Sequence, residues 1–283
     1  MEAGGTFRTR VQACEPSLRE SDRDIVAAIL ADPERLVRSS VSDLAAFAGT
    51  AQSSVVRTCQ RLGYRGFQDL KMAVARDLAR GPADHLDGID EGTPIAAVAS
   101  RVFAHSGRAL LDASATVDPA AFESAVELIR TARQLAVIGN GTSAASAHDC
   151  AYRLTTLGRI AHNPTDAHAQ HLVASHLGPG DCCIAISHAG ATRETLQAVE
   201  AARRAGAAVV AITSFLRSPL TELADAALVA GAPEQGCRQQ SITSRLAHLT
   251  LVDALFVAVS LGDPSRTTAA LDATERVRAN HIL

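Results

Sequence analysis

Apolar positions along this chain repeat with two different periods, and the change falls near residue 134. Before it, apolar residues recur three and four apart, as on one face of a helix. Ile25, Val26, Ile29 and Leu30 predict a helix capped by Ser21, with Asp22 and Asp24 at the positive end of its dipole. Asp32-Pro33 ends it, because the residue before proline is held out of the helical region. A short helix is expected over 34–38, and another from Ser40 or Ser42 through Ala48, with Leu44, Phe47 and Ala48 inward. Gly49 supplies a tight turn into a helix over 52–62, whose buried stripe reads Val55, Val56, Cys59 and Leu62 before Gly63 stops it. Helix, glycine turn and helix of these lengths make a helix-turn-helix.

Residues 81–94 are rich in Gly, Pro and acidic residues without a period, which marks a linker. Helical patterns follow over 94–115 and 118–132, the second opened by Asp118-Pro119. Beyond 134, short apolar runs alternate with helical stretches. The runs at 134–138, 181–187 and 207–213 each end in Gly, Ser or Thr, and Ala226–Val229 is a further strand. Alternation of this kind predicts βαβ units and a parallel sheet covered on both faces. Long helices are expected over 241–261 and 267–280. The fold class is therefore α/β: an all-α helix-turn-helix domain at 1–80, a linker at 81–94, and a doubly wound parallel-sheet domain with flanking helices at 95–283.

Composition narrows the classes. Of 283 residues, 47% are hydrophobic but only 3% aromatic, so the core must be built from Ala, Val, Leu and Ile. No apolar run is read as approaching the roughly 18–20 residues of a membrane span. The segment MEAGGTFRTR lacks the apolar centre of a signal peptide, so a cytoplasmic protein with no membrane partner is expected. Cysteines at 14, 59, 150, 182, 183 and 237 form no CxxC pair and read as structural thiols in a reduced compartment. Charge is uneven: residues 1–80 carry 12 basic and 10 acidic side chains, against 15 and 20 in the remainder. Arg57, Arg61, Arg65, Lys71, Arg76 and Arg80 concentrate the positive charge, as a surface that meets phosphates would.

The chemistry lies at the ends of the strands. Residues 139–143, 187–192 and 213–214 bring Gly, Ser and Thr to the carboxyl edge of a parallel sheet, where ligands bind. Glycine admits a phosphate to the backbone, hydroxyls donate to it, and helix N-termini favour its charge. A phosphorylated or otherwise anionic small molecule fits. A dinucleotide does not, because Ala144 stands where the third glycine of that fingerprint belongs.

These residues resemble a known family. Gly139-x-Gly141-x-Ser143, Ser187-His188-x-Gly190-x-Thr192-x-Glu194-Thr195 and Ala211-Ile212-Thr213 through Ala224-Asp225 resemble a sugar-isomerase (SIS) phosphosugar-binding domain. Val56-Arg57, Arg61-Leu62-Gly63-Tyr64-x-Gly66-Phe67 and Asp69-Leu70-Lys71 resemble the RpiR-type helix-turn-helix. The order of the two matches RpiR-family bacterial transcription regulators. Two departures stand out: Ala189 replaces a customary Ser and removes one hydroxyl, and Thr50-Ala51-Gln52-Ser53-Ser54 replaces a Ser-capped start, with Gln52 a poor cap.

The resemblance implies a carbohydrate-responsive regulator, a dimer or tetramer, that binds double-stranded operator DNA and a phosphosugar effector. Gln52, Ser53 and Ser54 open the second helix, where base edges are read, and Gln binds adenine bidentately. Arg57 and Arg61 face base or phosphate, with bracing of its own domain the competing role for Arg57; Lys71, the single Lys of the chain, faces the DNA backbone. On the sugar side, Ser187, Gly190 and Thr192 are implied to hold the phosphate, with Gly141, Thr142 and Ser143 opposite and Glu194 orienting a loop or a sugar hydroxyl. No cofactor, metal or catalytic residue is expected. His162, Asp166, His168, His171 and His176 read as a surface loop rather than a metal site. An isomerase or lyase is the rival, with Glu234 its candidate base, and a protein-binding helical module is a third possibility.

Overall fold

The computed structural model describes residues 7–79, 92–231 and 242–281. The chain divides into two compact units, Met1–Thr116 with Gly231–Gln240 and Val117–Ala230 with Ser241–Leu283.

Among its described residues the first unit is entirely helical. It contains α1 (Phe7–Cys14), α2 (Glu20–Ala31), α3 (Pro33–Arg38), α4 (Val41–Phe47), α5 (Gln52–Arg61), α6 (Phe67–Ala79) and α7 (Ile95–Ser114). Ile25, Ile29, Leu36, Leu44, Val55, Leu62, Leu70 and Val74 belong to one buried core. Local chemistry sets the starts. Asp32 accepts the Arg35 N–H at 2.9 Å, with Pro33 at the first helical position of α3. Ser40, rather than Ser42, caps α4: it accepts the Asp43 N–H at 3.2 Å, and the Asp43 carboxylate accepts the Ser40 N–H at 2.8 Å. Gly49, with φ of +63°, makes the turn into α5.

Three expectations are corrected here. α2 begins at Glu20, not after Ser21, because the Asp22 carboxylate accepts the Arg19 N–H at 3.0 Å and Arg19 takes the cap position. Phe47 is exposed, lying under the Arg35 guanidinium at 4.2 Å, while Leu44 and Ala45 take the inward positions. Val56 is 36% exposed: Val55, Thr58, Cys59 and Leu62 already complete the buried stripe of α5, and Val56 lies one step round from it. The cap position of α5 is Ala51, which offers no side-chain bond.

The second unit is a parallel sheet with helices. α8 (Pro119–Thr131) precedes β1 (Leu135–Gly139), α9 (Ala144–Thr156), β2 (Ala161–His162), α10 (Ala167–Ser175), β3 (Cys182–Ile186) and α11 (Arg193–Arg204). β4 (Ala208–Thr213), α12 (Pro219–Glu222), β5 (Ala226–Val229), α13 (Ile242–Gly262) and α14 (Pro264–Ala279) follow. The strand order is β2-β1-β3-β4-β5, with every pairing parallel. β1 and β3 are buried throughout, as strands covered on both faces must be. Ala136, Cys183, Ala185 and Ala211 pack with Ala198, Ala201 and Ala202 of α11, so small side chains let helix and sheet approach closely. On the other face α8, α9 and α13 pack together.

The two-residue edge strand β2 and the helices α1 and α10 add to the elements read from sequence. One apolar stretch is longer than the sequence reading expects. Thr243–Gly262 of α13 is long and apolar enough, by length and composition, to cross a membrane. Its Ala247, Leu251, Val252, Leu255 and Val259 are buried within this unit, while Val257 and Leu261 are exposed. Burial pushes the Cys59 thiol up to about 11 and those of Cys150 and Cys182 up to about 12, so these cysteines stay protonated near neutral pH. Cys237 and Glu234 lie outside the described residues.

Candidate functional site

In the first unit the candidate surface is the outer face of α5. Taken around the helix, Gln52, Ser53, Val56, Arg57 and Gln60 are exposed together, opposite Val55, Thr58 and Cys59. Ser54 is half-buried and accepts from Arg57 Nη2 at 3.4 Å. Arg57 thus points along the open face, held only by a long bond.

Arg61 has a different partner. Asp22 is 2% exposed and gathers three donors: Thr58 Oγ1 at 2.6 Å, Arg61 Nη1 at 2.5 Å and the Arg19 N–H at 3.0 Å. Burial works to raise this carboxyl, but the Thr58 hydroxyl, the Arg19 N–H and the Arg61 guanidinium outweigh it and hold Asp22 below the ordinary carboxylate range. α2 and α5 are locked by this knot, so the bracing considered for Arg57 falls to Arg61. Lys71 Nζ donates to the Ser39 carbonyl at 3.0 Å and ties α6 to the end of α3. Of the six basic and polar residues singled out, Gln52, Ser53, Ser54 and Arg57 line one face, while Arg61 and Lys71 make bonds within the unit.

In the second unit three strand ends converge. The order reverses between β1 and β3, since β1 connects outward to β2 and β3 connects the opposite way to β4. Ligand crevices of open α/β sheets lie at such a point. Gly139 is opposite Ile186, and Ile186 opposite Ile212, so the loops after β1, β3 and β4 leave the sheet side by side.

After β1, Gly139 must be glycine, because a Cβ there would fall 2.9 Å from both Ala147 Cβ and the Ser143 carbonyl. Gly141 turns with φ of +58°; Thr142 is exposed and Ser143 buried. After β3, Ser187 is buried and its Oγ lies 3.2 Å from Thr192 Oγ1. Gly190 has φ of +62°, and a Cβ on it would fall 2.2 Å from Ser218 Oγ. Thr192 occupies the cap position of α11 but makes no capping bond, so its hydroxyl is turned to Ser187. Glu194 is exposed in the first turn of α11.

Several residues of this crevice were not anticipated. Asn140 Nδ2 donates to Gln170 Oε1 at 3.1 Å and to Thr195 Oγ1 at 3.0 Å. Gln170 Nε2 donates to the carbonyls of Gly139 (3.2 Å) and Pro164 (3.0 Å). These bonds fasten the end of β1 to α10 and α11. Beyond β4, Ser214 is fully buried, with its Oγ 2.7 Å from His188 Nδ1 and 3.1 Å from His248 Nε2. One hydroxyl between two imidazoles links α13 to the loop that carries Ser187 and Gly190. Nothing in the sequence sets His248 apart from the other polar residues of α13.

Asp166 caps α10, accepting the Ala169 N–H at 2.9 Å. Among the described residues no three His, Cys, Asp or Glu side chains come together as a metal site.

Comparison with known proteins agrees with both halves. Residues 6–81 match the helix-turn-helix domain of the rpiR family, and residues 128–258 match the SIS domain. The HTH-type transcriptional regulator YbbH of Bacillus subtilis is 30% identical over 265 residues, covering 93% of this chain and 94% of that protein. HexR of Pseudomonas aeruginosa, also named an HTH-type transcriptional regulator, is 30% identical over 252 residues, 89% and 88% of the two chains. Among solved structures, the Vibrio vulnificus NanR protein complexed with ManNAc-6P is 26% identical, with a TM-score of 0.62 over 98% of this chain and 99% of that one. The sugar isomerase domain of an RpiR transcription factor from Sphaerobacter thermophilus is 27% identical and covers 64% of this chain and 99% of its own, with a TM-score of 0.57.

Proposed function

The chain belongs to the RpiR family of helix-turn-helix transcription regulators, and on that premise we propose how it reads DNA and what it answers to. The outer face of α5 meets operator DNA in the major groove. Gln52 and Ser53 reach base edges from the start of the helix, and Arg57, one turn on, reaches a guanine edge or a phosphate. Ser54 orients Arg57. Val56 lies between them on the same face and suits the methyl group of a thymine. Arg61 and Lys71 add positive charge near this face while their hydrogen bonds stay within the unit. Two copies present two such helices to half-sites roughly 34–36 Å apart, so a dimer or larger symmetric assembly reads a near-palindrome.

The effector is a phosphorylated sugar in the crevice between β1 and β3. One observation carries this: the Ser187–Thr192 hydroxyl pair beside Gly190 lies at the point where the strand order reverses. The phosphate is held by Ser187, Thr192 and the Gly190 backbone. Gly141, Thr142 and Ser143 close the other side, and Glu194 at the rim meets a sugar hydroxyl rather than the anion. That NanR is complexed with ManNAc-6P supports a phosphosugar as the ligand class. With Ala189 in place of a hydroxyl, the sugar itself is to be found by screening. The ligand is bound rather than turned over, in keeping with relatives named as regulators. The setting is the bacterial cytoplasm, where operator DNA lies.

Calorimetric titration with a panel of sugar phosphates and their unphosphorylated sugars tests the effector. One phosphosugar should bind, its parent sugar should not, and Thr192→Val should weaken binding roughly tenfold, as for a lost hydrogen bond to a charged group. Equal binding of sugar and sugar phosphate would contradict the phosphate assignment.

A further inference from the structure

At the opposite end of the sheet, before β2, the chain places a second positive feature. Arg159 is only 6% exposed, yet its guanidinium makes no hydrogen bond or ion pair with any described residue. Gly158, with φ of +72°, turns the chain there, and its carbonyl accepts from Arg266 Nη2 at 2.8 Å. Arg266 Nε lies 3.9 Å from where a Gly158 Cβ would be. Arg130 runs along Gly262, with its Cδ 2.9 Å from the corresponding Cβ position. The next residue, Asp263, caps α14 by accepting the Arg266 N–H at 3.3 Å.

The charges do not cancel. Glu127 grips Arg130 through both oxygens, at 2.9 and 2.7 Å. Among the described residues Asp263 is the one carboxylate that acts on Arg159, against the like charges of Arg266 and Arg130. Three guanidiniums therefore face two carboxylates, and Arg159 is the one left over. Burial, and then the charge of Arg266, holds its guanidinium below the ordinary arginine range. A lysine so placed could shed its proton, but arginine does not. None of its nitrogens is sealed from solvent, so an anion from outside can reach this unpaired cation and supply the partner that the fold does not.

We propose that Arg159, Arg266 and Arg130 form a second anion site, which takes a free phosphate-class oxyanion at the amino ends of the strands. Guanidinium forks match the paired oxygens of a phosphate, and the site joins the α9–β2 loop, the end of α8 and the start of α14. It lies across the sheet from the hydroxyl-lined crevice and stands independently of the effector assigned there.

The test is melting temperature and calorimetry of the full chain with inorganic phosphate, against chloride at matched ionic strength. Ser187→Ala/Thr192→Val should keep a phosphate response, because the second site is intact. Arg159→Met should weaken that response at least roughly tenfold, and Arg266→Gln, an exposed position, by roughly threefold to tenfold. Without phosphate, Arg159→Met should melt no lower than the parent, since an unpaired buried charge has been replaced by an apolar chain of similar length. A phosphate response lost in Ser187→Ala/Thr192→Val but kept in both arginine variants would overturn the second site. A parent-like phosphate response in Arg159→Met would overturn it equally.

Discussion

The two units put their chemistry in different places. In the helical unit the candidate DNA surface is one face of one helix, and the residues that hold the fold lie on the other face. In the α/β unit the candidate effector crevice is assembled from three strand ends between residues 139 and 218, and the residues that shape it also hold the loops together. Recognition and stability should therefore separate in the first unit and resist separation in the second.

The largest effect is expected where they are inseparable. Gly190→Ala would force a side chain onto Ser218 Oγ in a left-handed backbone conformation. Strain and overpacking together should cost about 3–5 kcal/mol of the unit's stability in urea unfolding. The phosphosugar response should disappear with it.

Next comes the knot at Asp22. Its loss leaves Thr58 and Arg61 without their shared acceptor, and Asp22→Ala should cost about 3 kcal/mol. Arg61 is partly open to solvent, which keeps the cost at the low end of that range. The acid dependence has a definite sign. The folded carboxyl titrates below its unfolded value of 3.8, so its stabilisation is present above that pH and is lost as pH falls through the lower folded value. Thermal melts between pH 5 and pH 2 should show this loss in the parent and a shallower slope in Asp22→Asn.

Arg57→Ala separates the two properties on the same helix. DNA affinity should fall by about 1–3 kcal/mol in fluorescence anisotropy, while stability moves by less than about 0.5 kcal/mol. A smaller effect is expected at Val56, whose thymine contact is read by replacing operator thymines with uracil. Loss of one methyl contact should cost about 0.8 kcal/mol at the contacted base, and Val56→Ala should abolish that sensitivity.

The same contrast explains what could be read from the sequence. The 3.6-residue period and the glycine turn reveal α4 and α5 and the polar start of α5. Strand runs that stop in Gly, Ser or Thr reveal both the sheet and the hydroxyl loops. Local pattern fails where a residue's partner is distant. Asp22 reads as a helix-dipole residue because its partners Thr58 and Arg61 lie 36 and 39 residues on. Gln170 and His248 are each one of several polar residues in their helices, and only the fold brings them to Gly139 and Ser214. α10 is hidden because its histidines mask the helical period. Val56 and Phe47 mislead because hydrophobicity alone places them inside, whereas the stripe of each helix is already filled.

The most direct test of the account couples the two units. Fluorescence anisotropy would follow the full chain on DNA from upstream of its own coding sequence, at near-physiological salt, with and without the phosphosugar found by titration. The account predicts specific binding that shifts roughly 5- to 150-fold with that ligand, the span of a typical coupling free energy, and a shift that needs roughly tenfold more ligand in Thr192→Val while ligand-free DNA affinity remains. Specific DNA binding identical in the presence and absence of the bound phosphosugar would contradict it.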